Sequence, residues 1–123
     1  MLVEPARRCA MIEALRREGA RGTWLALLGE LASLAGPGLQ LLSHCERPWC
    51  SATFSGARHG FRLSFEGIEA VAAGEAFIAA LPDHEFQVRG RLVADATITA
   101  AEHDLMAGPR LTIVADLLVL DES

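Results

Sequence analysis

The stretches RLVADATITAAE (Arg91–Glu102) and RLTIVADLLVLD (Arg110–Asp121) decide the fold. Both are rich in aliphatic and β-branched residues, and Leu105-Met106-Ala107-Gly108 supplies a turn between them, so the pair reads as a long β-hairpin. With Asp104 opposite Pro109, the register sets Thr97 against Asp116, Ile98 against Ala115 and Ala100 against Ile113. One face then carries Leu92, Ala94, Ala96, Ile98 and Ala100 with Leu111, Ile113, Ala115, Leu117 and Val119. Small alanines opposite large aliphatics suit a helix lying across the sheet. The other face is mixed, with Val93, Asp95, Thr97 and Thr99 beside Thr112, Val114, Asp116, Leu118 and Leu120. Leaving Val114, Leu118 and Leu120 in water would expose an apolar patch, so this face calls for cover. Two sources compete for it, the chain's own amino-terminal helices and a second subunit.

Upstream, Pro5 at a first-turn position with Met11, Ile12 and Leu15 on one side predicts a helix ending at Gly19. Thr23 caps a second helix, in which Trp24, Leu27, Leu28, Leu31, Leu34 and Ala35 recur at helical spacing before Gly36-Pro37-Gly38 stops it. From Leu39 the period becomes two. Three short strands are expected, joined by turns at Glu46-Arg47-Pro48-Trp49 and at Gly56 to Gly60. Ile68, Val71, Ala72, Ile78 and Leu81 then mark one side of a helix closed by Pro82, with Gly74 weakening it by ~1 kcal/mol. A short strand holding Phe86 and Val88 precedes the hairpin. The expectation is a single α+β domain over 1–123. It has two N-terminal helices within 1–36, then βββ-α-βββ over 39–121, with the antiparallel sheet packed on helices.

At 123 residues one hydrophobic core is expected. Hydrophobic residues make up 51% and charged residues 22%, which points to neither disorder nor a membrane class. No apolar run approaches the roughly 20 residues of a spanning helix, and the first twenty residues lack the apolar block of a signal peptide. The reading is therefore soluble and cytoplasmic. Arg without Lys, with abundant Ala, fits a GC-rich, bacterial-type genome. The net charge of −5, with no basic stripe, argues against nucleic acid and anionic lipid as partners.

No complete catalytic, phosphate-binding, metal or nucleic-acid motif is present, and Gly56-Ala57-Arg58-His59-Gly60 lacks the spacing and Lys of a phosphate loop. Asp116 stands among apolar neighbours, where a carboxylate's pKa tends upward. That suits general acid or base work, but a hydrogen bond to Thr97 across the ladder explains it more simply. His84, flanked by Asp83 and Glu85 in a loop, could serve as a general base, with His59 and His103 as weaker candidates. Placing a turn at Glu46 to Trp49 makes Cys45 and Cys50 cross-strand neighbours, able to share a soft metal or form a disulfide. His44 points to the other face, so two reduced thiols and no metal are expected. Cys9 reads as packing, Trp24 as core, and Trp49 as a hairpin-tip aromatic.

The chain thus reads as a non-enzymatic interaction module, a homodimer that uses several of Trp24, Leu28, Val114, Leu118 and Leu120 and needs no cofactor. The rival is a small-molecule-binding or hydrolytic domain with a pocket between sheet and helices lined by Asp95 and Asp116. The residues decide neither for nor against catalysis.

Overall fold

A computed structural model of the chain describes residues 20–121, so the helix expected up to Gly19, like Cys9, lies outside the described residues. The order within them is helix α1 (Ala20–Ala35), strands β1 (Leu39–Cys50) and β2 (Ser55–Glu66), helix α2 (Ile68–Ala80), and strands β3 (Arg91–Asp104) and β4 (Arg110–Asp121). The α+β class holds. Among the described residues, however, one helix precedes the sheet rather than two, and four long strands stand where six were expected, the two of the hairpin long and the other four short. The strands form a single antiparallel sheet in the order β1-β2-β4-β3, with β2 and β4 central.

The breaks in alternation that suggested extra turns are absorbed inside strands. Pro48 pairs with Ala57 within β1, where it is tolerated because β1 is an edge with no ladder on its outer side. The real turn is Ser51 to Phe54. There Ser51 N–H donates to the Phe54 carbonyl at 2.7 Å, while Ser51 Oγ accepts from the Thr53 and Phe54 N–H groups at 3.3 and 3.0 Å. Gly56 is a strand residue for a steric reason. A Cβ there would fall on the Val119 carbonyl and lie 2.9 Å from Leu120 Cα, so only glycine lets β2 and β4 approach. The strand expected around Phe86 and Val88 does not form. After a 3-10 turn at Leu81–Asp83 the chain runs extended but unpaired, tucking Val88 into the core.

The β3–β4 hairpin sits where the sequence puts it, with Thr97 opposite Asp116 and Ile98 opposite Ala115. Bulges between Val93 and Asp95 and between Ile98 and Ala100 shift the pairing on either side of that centre. Val93, not Ala94, therefore meets Val119 on the core side, and Ala101, not Ala100, meets Ile113. Leu92 instead pairs with Leu120 and is 53% exposed, and Asp104 pairs with Arg110 rather than Pro109.

Both described helices cover one face of the sheet. The row Ala57, His59, Phe61, Leu63 and Phe65 of β2 and the row Leu111, Ile113, Ala115, Leu117 and Val119 of β4 are fully buried there. Leu27, Leu31 and Ala35, four residues apart on α1, complete this core from above. Gly36, at φ 88°, ends α1 with its N–H on the Ala32 carbonyl. The face expected of α2 holds in part: Val71, Ile78 and Leu81 pack toward the core, but Ile68 is 79% exposed and Ala72 is exposed, while Gly74 and Phe77 also point inward. Gly74 is needed there. A Cβ would come within 2.9 Å of Phe65 and Leu111, so the missing side chain lets the helix sit directly on the sheet.

Candidate functional site

The alternation of β2 that carries Phe61, Leu63 and Phe65 into the core also carries His59 there, with no exposed surface at all. It stands opposite Leu117 on one side and Glu46 on the other. His44 Nε2 shares a hydrogen bond with His59 Nδ1 at 2.9 Å, and Glu46 Oε1 lies 3.6 Å from His59 Nε2. Trp24 of α1 closes the group, stacked on His44 with ring centroids 4.9 Å apart and planes at 15°. Burial pushes the His44 imidazole below the usual histidine range. This cluster was not read from the sequence, because His59 was assigned to a turn. Its signal was the parity shared by His59 with Phe61 and Leu63.

The face of β4 turned away from the two described helices presents Thr112, Val114, Asp116 and Leu118, all half-buried, and Leu120 at 9% exposure. Asp116 Oδ2 accepts a hydrogen bond from Arg58 Nη1 at 3.1 Å, a partner on the neighbouring strand β2. Thr97 stands opposite Asp116 in register, but the ion pair is with Arg58. Asp95 is exposed on this same outer face. Asp95 and Asp116 thus lie away from both described helices, not between them and the sheet. Of the five interface candidates, Val114, Leu118 and Leu120 share the outer face. Trp24 and Leu28 pack partly against the core on the opposite side.

His84 donates from Nε2 to Glu30 Oε2 at 2.9 Å, and the Gln87 N–H donates to Glu30 Oε1 at 2.9 Å. The His84 hydrogen bond holds the Glu30 carboxyl below its ordinary range, with the Gln87 N–H adding to it and burial opposing. His84 therefore ties α1 to the segment that follows α2. That segment and the start of β3 border a groove of about 710 Å³ lined by His84, Phe86, Val88, Arg89, Arg91 and Val93. His103 is half exposed, 3.7 Å from Glu75.

The cysteine expectation is corrected. Cys45 and Cys50 are five residues apart in one strand, hence on opposite faces, rather than across a turn. Cys45 is a free, exposed thiol and Cys50 is disulfide-bonded. Trp49 is likewise a strand residue and not a tip. Among the described residues no group of three or more His, Cys, Asp or Glu side chains could hold a metal ion, and no helix is long and apolar enough to cross a membrane.

No protein-family model matches the chain, and no curated protein matches it in sequence. In fold it is similar to a chain in the virion of a native gene transfer agent particle. The TM-score is 0.56 at 19% sequence identity, over 80% of this chain and 91% of that one.

Proposed function

We propose that this chain is a structural subunit of a phage-like particle, working by assembly with copies of itself rather than by catalysis. The observation that carries the reading is the fold shared with almost the whole length of a gene transfer agent virion chain. A likeness that spans nearly the whole of a particle component and four-fifths of this chain supports reading the domain as a building block.

The outer sheet face supports the reading. Four strands about 4.8 Å apart and eleven paired residues of β2 and β4 make a face of about 700 Å², close to the ~800 Å² per partner of a standard interface. Its centre is Val114 and Leu118 around the Arg58–Asp116 pair, with Leu92 and Leu120 at one end. A two-fold partner, a second copy face to face, would bury these aliphatics together with Arg62, which stands beside Val114, while Asp95 and Glu102 on the edge strand β3 would form part of the polar rim.

The test is solution mass by light scattering on the wild type and on Leu118→Arg, with circular dichroism to establish folding. The wild type should be larger than a monomer and Leu118→Arg a folded monomer. Val114→Gln serves as the milder change if the first does not fold. A wild type that is monomeric at its highest soluble concentration refutes the reading.

A further inference from the structure

Two imidazoles lie where the first turns of α1 meet the sheet. His59 is fully buried, His44 is half-buried, and their facing nitrogens are 2.9 Å apart. Among the described residues, the side chains that face them come from each neighbouring element. β1 contributes Glu46, 3.6 Å from His59 Nε2, and β2 contributes Phe61, its ring centroid 4.7 Å from that of His44. Leu117 of β4 stands opposite His59, and α1 contributes Trp24, flat on His44. The carboxylate of α1 itself, Glu30, is engaged elsewhere, at His84.

We propose that the His44–His59 pair is an acid-sensitive latch. Neutral, it holds the Trp24 turn of α1 on the sheet; protonated, it lets that turn go. The proton inventory explains why. The two facing nitrogens share one hydrogen. A first added proton makes a cation in a site walled by Phe61, Leu117 and the indole, where charge is costly and Glu46 offsets only part of the cost. A second proton sets N–H against N–H, and the contact must open.

The sign follows from burial, which already holds His44 below its ordinary range. The released state takes up the proton before the latched one does. The latch is therefore intact above about pH 6.5 and weakens as the pH falls below that. Further along α1, Glu30 is held by the hydrogen bonds from His84 and from the Gln87 N–H, away from the imidazole pair. Release is thereby confined to the Trp24 end of the helix.

The test follows α1 alone, by Trp24 fluorescence in a Trp49→Phe background and by amide hydrogen exchange over residues 20–28, from pH 8 to pH 5. Emission should shift to the red. Exchange, corrected for its intrinsic pH dependence, should rise by up to about tenfold per pH unit below about 6.5, with α2 and β4 unchanged. His44→Phe keeps a ring beneath Trp24 but cannot titrate, and should abolish the response. The proposal is overturned by a wild type that does not respond, by an equal response in His44→Phe, or by a wild-type response spread over the whole chain. The last criterion stands even if His44→Phe does not fold.

Discussion

Gly74→Ala sets two opposite effects against each other at one atom. In the middle of a helix the change from glycine to alanine should stabilise by ~1 kcal/mol through reduced backbone freedom in the unfolded chain. In α2 the new methyl would lie 2.9 Å from Leu111 Cδ2 and 2.9 Å from Cδ2 and Cγ of Phe65. Leu111 can turn its methyl aside. Phe65 cannot retreat easily, since its ring is fully buried and packs on Phe77 at a centroid distance of 6.2 Å. Overpacking of this kind costs ~1–3 kcal/mol, so the net effect should be a loss of about 1 kcal/mol and a melting temperature lower by about 4 °C. Gly29→Ala is the internal control. It is an exposed helical position in α1 with open space around the missing Cβ, and it should raise stability by up to ~1 kcal/mol. Urea denaturation of the two variants should therefore differ by about 2 kcal/mol, with opposite signs. If Gly74→Ala stabilises as Gly29→Ala does, α2 is not seated on Phe65 and Leu111 and the packing argument is wrong.

Gly56→Ala forces a methyl onto the Val119 carbonyl, a backbone atom that cannot move without opening the β2–β4 ladder. It should cost about 3 kcal/mol or more, read by denaturation or by loss of soluble protein. The Glu30–His84 contact carries a second and separate acid dependence. Because the Glu30 carboxyl is held low in the folded chain, its contribution is full above about pH 4.5 and is lost as the pH falls further. Glu30→Gln should flatten the stability profile below pH 4.5. At pH 7, where the bridge is partly solvated, it should change stability by less than about 1 kcal/mol, and an unchanged acid limb would refute the assignment.

The hairpin was legible because aliphatic and β-branched residues, bounded by Gly90 and by Gly108-Pro109, admit little else. The centre of its register, Thr97 with Asp116, agrees because the bulge between Ile98 and Ala100 offsets a one-residue error at the turn, where Asp104 pairs with Arg110 and not with Pro109. What failed was the assumption that every strand keeps one parity. The bulges at Val93/Asp95 and Ile98/Ala100 leave no compositional mark, since Ala94 and Thr99 suit either face, so Leu92 was assigned inward. The same reasoning split β1 at Pro48 and β2 at its glycines. Those residues look like turns in sequence and are edge tolerance and close approach in the fold. That error hid the His44–His59 pair, which exists only if β1 and β2 each run unbroken. Asp116 was picked out correctly as an unusual carboxylate on an apolar strand. Its partner Arg58 was missed because it too had been placed in a turn.

The two irregularities in β3 act like a paired shift of reading frame. Helix-side residues fall on an odd number at Val93, on even numbers at Ala96 and Ile98, and on an odd number again at Ala101, so the middle of the strand is out of phase with both ends. Losing one of the extra residues alone would carry everything beyond it to the wrong side, whereas losing both would leave the far end in phase. The same kinks, together with the one between Leu41 and Ser43, bend both borders of the sheet, and a bent border is a poor template for another strand. For a chain whose proposed work is to meet its own copies at high density, growth by zippering edge to edge into fibres is discouraged, while contact through the broad side of the sheet stays open.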